Sequence, residues 1–201
     1  MGRSDTRARI QGAATALFRR HGYAATGLKR IAAEADAPFG SIHHFFPGGK
    51  QQLAEDSIRT SGTEYGRRVP ALLDSVPDPV ESLVHAFEAA ANDLASIDYA
   101  DACPIGTVAL EVAGSDEVPR VATAEVFEAW FDAATQWFGR RVAEPEKARS
   151  LAYSMVTMLE GAFMLSRAAR DTEPLRVAGR SMAQLYRTAR PRTTEERPRA
   201  A

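Results

Sequence analysis

Residues 18–53 read FRRHGYAATGLKRIAAEADAPFGSIHHFFPGGKQQL, and the breaks in this stretch decide how the chain folds. Upstream of the first break, Ile10, Ala13, Ala14, Leu17 and Phe18 recur at i, i+3, i+4, i+7 and i+8. That spacing puts one apolar face on a helix over about 5–21, closed by Gly22 in the C-terminal glycine position. Thr26 is expected to cap a second helix over 28–35, whose inner face is Leu28, Ile31, Ala32 and Ala35. Asp36-Ala37-Pro38 ends it. A third short helix runs from 38 or 39 to 45, where Pro47-Gly48-Gly49 stops it.

Two short helices joined by a turn of about three residues and preceded by a bracing helix form a helix-turn-helix. The second short helix of such a unit is the one that lies in a major groove. Its expected outer members are Pro38, Phe39, Gly40, Ser41, His43 and His44, with Gly40 and Ser41 small enough to let the backbone come close. Thr26 and Gly27 open the preceding helix, where free backbone N–H groups suit a phosphate. Lys29 and Lys50 are the further phosphate candidates.

Beyond residue 48 no segment alternates as a strand does, so helices are expected throughout. They fall at about 49–73, 80–97, a short piece ending near 113 after Cys103-Pro104-Ile105, then 118–142, 145–170 and 174–188. The 49–73 helix contains Gly62 and Gly66, each costing about 1 kcal/mol of helix propensity, and is expected to be compliant there. The fold class is therefore all-α with about nine helices. A three-helix head over 1–48 precedes a helical body over 49–190, and a Pro/Arg/Glu-rich tail over 191–201 is expected to be disordered.

The net charge is −1, yet residues 1–50 hold eight Lys/Arg against three Asp/Glu, and residues 51–186 hold twelve against twenty-one. A basic head on an acidic body is the pattern of a phosphate-binding module on a partner not itself drawn to nucleic acid. One cysteine excludes an internal disulfide framework. Polar residues 1–12 do not read as a signal peptide and the apolar runs fall short of a membrane span, so a cytoplasmic protein without a membrane partner is expected. No nucleophile–base motif, glycine-rich phosphate loop or paired carboxylates point to an enzyme. His43-His44 is no metal pair, because adjacent helical residues diverge by about 100°. No metal or cofactor is expected.

Residues 18–53 also resemble the DNA-binding segment of the TetR family. That family reads roughly F-x-x-x-G-Y-x-x-T-(S/T)-x-x-x-I-A-x-x-A-G-V-S-x-G-x-(I/L)-Y-x-(H/Y)-F, then K-x-x-L. Gly22-Tyr23, Thr26, Ile31-Ala32, Ala35, Gly40, Phe46, Lys50 and Leu53 match in order. The Phe-Pro-Gly-Gly-Lys ending and Cys103-Pro104-Ile105 before Ala109-Leu110-Glu111 resemble its LmrA/YxaF-like branch. Asp36-Ala37 replaces the usual Gly-Val, Pro38 the usual Ser, and His43 the usual Tyr, whose hydroxyl meets a phosphate in the family. An imidazole can still donate to phosphate.

The resemblance implies a homodimer that binds palindromic operator DNA as a repressor and is released by a small apolar effector. The alternative is a DNA-binding activator, or a regulator with no small-molecule ligand. It also implies an effector pocket in the body, for which Ser61, Tyr65, Phe87, Cys103, Leu110, Phe127, Phe131, Met155 and Leu159 are the candidate lining. Dimer contacts are implied on the last two helices, with Ser154, Met158, Gly161, Leu165, Leu175, Ala178, Met182 and Leu185 as candidates. The 145–170 helix can serve both tasks because Leu151, Met155, Leu159 and Ala162 share one face while Ser154, Met158, Gly161 and Leu165 share another.

Overall fold

The computed structural model describes residues 3–101, 103, 105–114 and 116–189, and among them shows nine helices and no strand. The expected tail at 191–201 lies outside the described residues. In chain order the helices are α1 (Arg3–His21), α2 (Leu28–Glu34), α3 (Phe39–Phe45), α4 (Gly49–Leu73), α5 (Pro79–Ser96), α6 (Gly106–Val112), α7 (Glu117–Gly139), α8 (Pro145–Ala169) and α9 (Glu173–Ala189). The all-α expectation holds, and the local signals act where expected. Gly22 adopts φ +81° after α1, and its N–H closes onto the Phe18 carbonyl at 2.9 Å. Pro145 occupies the first turn of α8. Among the described residues no helix is long and apolar enough to cross a membrane.

Packing divides the chain into two compact units, one drawn from Met1–Arg68 and Ser96–Ala129, the other from Val69–Ala95 and Trp130–Ala201. The division does not follow residue 48: α6 and the first half of α7 belong with the three-helix head. In this first unit α1 packs against α2, α3 and α6. Ile10, Leu17, Phe18, Ile31, Ile42, Phe46 and Leu53 form its core, each less than 5% exposed. A Cβ at Gly62 of α4 would lie 2.8 Å from Val126 Cγ2 and 3.1 Å from Ile105 Cδ1. Gly62 thus lies where α4 and α7 approach closely, a packing role that the sequence reading did not assign to it. α4 is continuous from Gly49 to Leu73 through both its glycines and Pro70.

In the second unit α8 and α9 pack on each other. Gly179 of α9 gives room to α5, since a Cβ there would meet Phe87 Cβ at 2.7 Å. Trp137, Phe138 and Tyr186 form a buried aromatic group with centroids 5.0–6.4 Å apart. Asp74, just past α4, accepts the Trp137 indole N–H at 2.8 Å and pairs with Arg140 and Arg141 at 3.1 and 3.2 Å. Desolvation opposes the Asp74 charge, but the indole N–H and the two guanidinium groups outweigh it and hold the carboxyl below its ordinary value.

Two outcomes follow for stability. Gly62→Ala should cost about 1–3 kcal/mol through overpacking, whereas Gly12→Ala, in open space on α1, should add up to about 1 kcal/mol; thermal unfolding separates them. Because the Asp74 pKa is depressed on folding, its contribution is present above the ordinary carboxylate range and is lost as pH falls through the folded value. Asp74→Asn should therefore lower the unfolding midpoint at neutral pH, and the difference should shrink below about pH 4.

Candidate nucleic-acid interface

Seven-residue helices do not persist by backbone bonding alone, so the geometry of α3 comes from what it is fixed to. Its inward residue Ile42 is 0% exposed, and Phe46, just past its end, is also 0% exposed. Arg7 of α1 lays its guanidinium 5.0 Å from the centroid of the Phe46 ring and pairs with Asp56 of α4 at 3.2 Å. With Ile42 seated, Phe39, Gly40, His43 and His44 face outward and Ser41 is half-buried, while Pro38 is exposed at the N-cap. Phe39 and His43 meet edge-to-face at 5.4 Å, a contact one turn apart that orders both rings on the outer face.

The turn between α2 and α3 is held from α1. Asp36 takes φ +45°, a left-handed conformation that Asp tolerates better than most residues. The Ala37 N–H then bonds the Ala32 carbonyl at 3.0 Å. Arg9 donates Nε to the Ala35 carbonyl at 3.0 Å and Nη2 to the Asp36 carbonyl at 3.1 Å, and Asp5 pairs with the same guanidinium at 3.0 Å. This clamp was not among the residues singled out from the sequence, where Arg9 is one basic residue among several. Its partners are backbone carbonyls, which no sequence pattern displays. Asp36 itself is legible, since the left-handed position is where a Gly is commonest.

At the entry to α2 the structure corrects the sequence reading. Gly27, not Thr26, is the N-cap. Thr26 is 0% exposed and donates its hydroxyl back to the Gly22 carbonyl at 2.7 Å, so its side chain braces the loop from inside and cannot meet DNA. Gly27 and Lys29 are exposed, as is Arg30, whose Nη2 lies 2.8 Å from His21 Nε2. Lys50 is half-buried: its Nζ stands 4.3 Å from the centroid of the Tyr23 ring and 3.4 Å from the Ala24 carbonyl. Burial lowers its pKa, and the Glu111 and Asp116 carboxylates oppose that. Tyr23 donates to Asp116 Oδ2 at 2.6 Å, and burial together with that carboxylate pushes its phenol far up.

A family model described as bacterial regulatory proteins, tetR family, matches residues 10–56. A second, described as the C-terminal domain of LmrA/YxaF-like transcriptional regulators, matches residues 79–181. The helix-turn-helix-type transcriptional regulator YxaF of Bacillus subtilis is 33% identical over 92% of this chain and 97% of its own length. The chain belongs to the TetR family. LmrA of the same bacterium, also a helix-turn-helix-type transcriptional regulator, is 28% identical over 87% of this chain and 93% of its own. The crystal structure of a TetR-family regulator from Cytophaga hutchinsonii shares the fold, with a TM-score of 0.82 at 19% identity over 96% of this chain and 99% of that one. As a TetR-family protein of the LmrA/YxaF-like branch, this chain is a DNA-binding transcriptional regulator and not an enzyme.

Within this TetR-family chain the two sets of body residues divide as follows. In the first unit Ser61 and Cys103 are buried, Tyr65 and Phe127 half-buried. Leu110 is 80% exposed, because α6 turns Val108 and Val112 inward and leaves Leu110 on the opposite side. It does not line an enclosed cavity. In the second unit Phe87 and Met155 are buried and Leu159 half-buried, while Phe131 stacks flat on Tyr153 with centroids 3.9 Å apart. On the last two helices Leu175 and Met182 are 0% exposed in their own chain, so they cannot be presented to a second copy. The outward stripe runs instead through Val177, Ser181, Gln184 and Leu185, which with Met158 line an open groove. Leu165 of α8 is exposed, and Ser154, Gly161 and Ala178 are half-buried.

The turn clamp is directly testable. Arg9→Ala should cost about 1–2 kcal/mol in chemical unfolding, the worth of charge-assisted bonds at a partly exposed site. Asp36→Gly should keep stability or raise it by up to about 1 kcal/mol, and Asp36→Val should lower it by at least that much. Equal behaviour of the Gly and Val variants would show that the left-handed turn is absent.

Proposed function

We propose that the chain is a ligand-responsive repressor that binds palindromic operator DNA as a homodimer in the cytoplasm. The observation that carries the DNA part of this reading is the outer face of α3: Phe39, Gly40, His43 and His44 stand exposed on a helix whose inward residue is fully buried. That is the requirement for reading base edges, namely side chains free to reach the groove on a helix anchored from its inner face. Pro38 and Ser41 flank this face, and Gly27, Lys29 and Lys50 supply sequence-independent phosphate contacts. His43 donates to a phosphate where the family commonly places a Tyr hydroxyl.

The dimer is proposed on the outer faces of α8 and α9. Met158, Gly161, Leu165, Ala178 and Leu185, with Val177 added, give an apolar stripe with small residues for close helix approach. Met164, Leu165, Val177 and Leu185 are all at least 37% exposed in the single chain. Two copies joined there would make a four-helix bundle. A twofold dimer must hold its reading helices about 34–36 Å apart to enter successive major grooves. An apolar effector bound among the body helices would act by preferring the state with a different spacing. Phe87, Phe131, Met155 and Leu159 of the second unit are the apolar residues proposed for that site.

Binding of the purified protein to the DNA flanking its own gene, across a salt series, tests the reading. Tight binding to one palindrome is expected, weakening steeply with salt. Lys29→Ala should weaken specific and random-sequence duplexes alike and reduce the slope of log K against log salt by about 0.9. A Phe39→Ala, His44→Ala double variant should lose discrimination between them by about tenfold or more. Leu185→Glu should sediment as a monomer and lose the palindrome. Binding that is sequence-blind in the parent protein would overturn the operator reading, and an apolar compound library that never changes operator affinity would leave a regulator without an effector.

A further inference from the structure

The acidic stretch beyond residue 50 supplies two carboxylates to the same packing unit as the basic N-terminal helices. Gly22 is where the chain turns out of α1, and a Cβ there would overlap Glu111 Oε1, so the missing side chain is what admits Glu111. Glu111 Oε2 accepts the Ala24 N–H at 2.6 Å. Asp116 accepts the Tyr23 hydroxyl at 2.6 Å through one oxygen and Gln51 Nε2 at 3.0 Å through the other. Lys50 is drawn into the same group, its ammonium over the Tyr23 ring and against the Ala24 carbonyl. An exposed backbone N–H beside an ammonium is the donor set that nucleic-acid phosphates take. Here carboxylates act on both.

We propose that Glu111 and Asp116 are resident counter-anions of the head, which compete with a DNA phosphate for Lys50 and the Ala24 N–H and thereby set its affinity. The inference rests on the DNA-binding reading above. Tyr23 of the α1–α2 loop and Gln51 of α4 tie Asp116 in place, and the same Tyr23 carries the Lys50 ammonium against its ring. Both carboxylates also act on Lys50 in opposition to the burial that lowers its pKa. A phosphate arriving at Lys50 meets the repulsion of two carboxylates, which the single ammonium offsets only in part. The sign of the effect separates this role from a purely positioning one. Loss of a positioning residue weakens DNA binding, whereas loss of a competing charge tightens it.

Glu111→Gln keeps an acceptor for the Ala24 N–H and removes the charge, while Glu111→Ala removes both. On a random-sequence duplex and on the duplex flanking its own gene, the full-length Glu111→Gln protein should bind on the order of fivefold tighter than the parent at low salt. The difference should fade as salt rises and vanish in a Lys50→Ala background. Glu146→Gln, an exposed acid on α8, controls for net charge and should change nothing. Hydrogen exchange in the DNA-free protein should show the Ala24 amide protected in the parent and unprotected in Glu111→Ala. An unprotected parent amide, an equal or weaker Glu111→Gln affinity, or the same tightening from Glu146→Gln or without Lys50 would overturn the proposal. If the parent binds neither duplex, the DNA-binding reading falls and this inference with it; if the parent binds and Glu111→Gln does not bind more tightly, only this inference falls.

Discussion

A recognition helix of seven residues depends on support from outside itself, and the anchoring of α3 through Ile42 and Phe46 is the constraint on which the head is built. A helix that short gains too few backbone bonds to offset the entropy of ordering it. Its order is borrowed from α1 by two routes, apolar contact beneath it and the Arg9 guanidinium over the turn that leads into it. The clamp works because a guanidinium has several fixed donors and can satisfy two consecutive carbonyls that a turn leaves without helical partners. With both routes in place, the polar and aromatic outer residues are free of any packing duty and available for recognition.

Charge is organised in space differently from its order along the chain. The first fifty residues are basic and the next long stretch acidic, which suggests a head and body of opposite character. Folding brings Glu111 and Asp116 of that acidic stretch onto the loop and helix of the head that carry Tyr23, Ala24, Lys50 and Gln51. The packing unit of the head accordingly includes α6 and the start of α7. A regulator built this way has its electrostatic attraction to DNA moderated within the same unit that does the reading.

The second unit shows how one helix serves two surfaces. α8 buries Leu151, Met155 and Ala162 and leaves Leu165 and Met164 exposed, an arrangement available to any helix with two apolar stripes. α9 spends Leu175, Met182 and Tyr186 on its own core and keeps Val177 and Leu185 outside. The unequal use of α9 follows from the 100° step between residues, which sends positions 175 and 182 to one side and 177, 181 and 185 to the other. Gly179 then sets how close the helix comes to α5.

Helix order, the helix-turn-helix and its outer residues were legible in residues 18–53, because apolar periodicity and Gly/Pro breaks are local signals and because the family pattern lies there in order. Asp36 in its left-handed turn and Gly22 after α1 belong to the same local grammar. Tertiary structure alone decided the rest. Thr26 turned from an expected cap into a buried brace, Gly62 proved to lie at a close helix crossing, and Leu110, Leu175 and Met182 changed sides. Each of these depends on which distant element lies opposite: periodicity gives a residue's direction around its own helix, but not what that face meets. The partners of Arg9 and Glu111 were hidden for a further reason, since backbone carbonyls and amides are the same at every residue and leave no mark in a sequence.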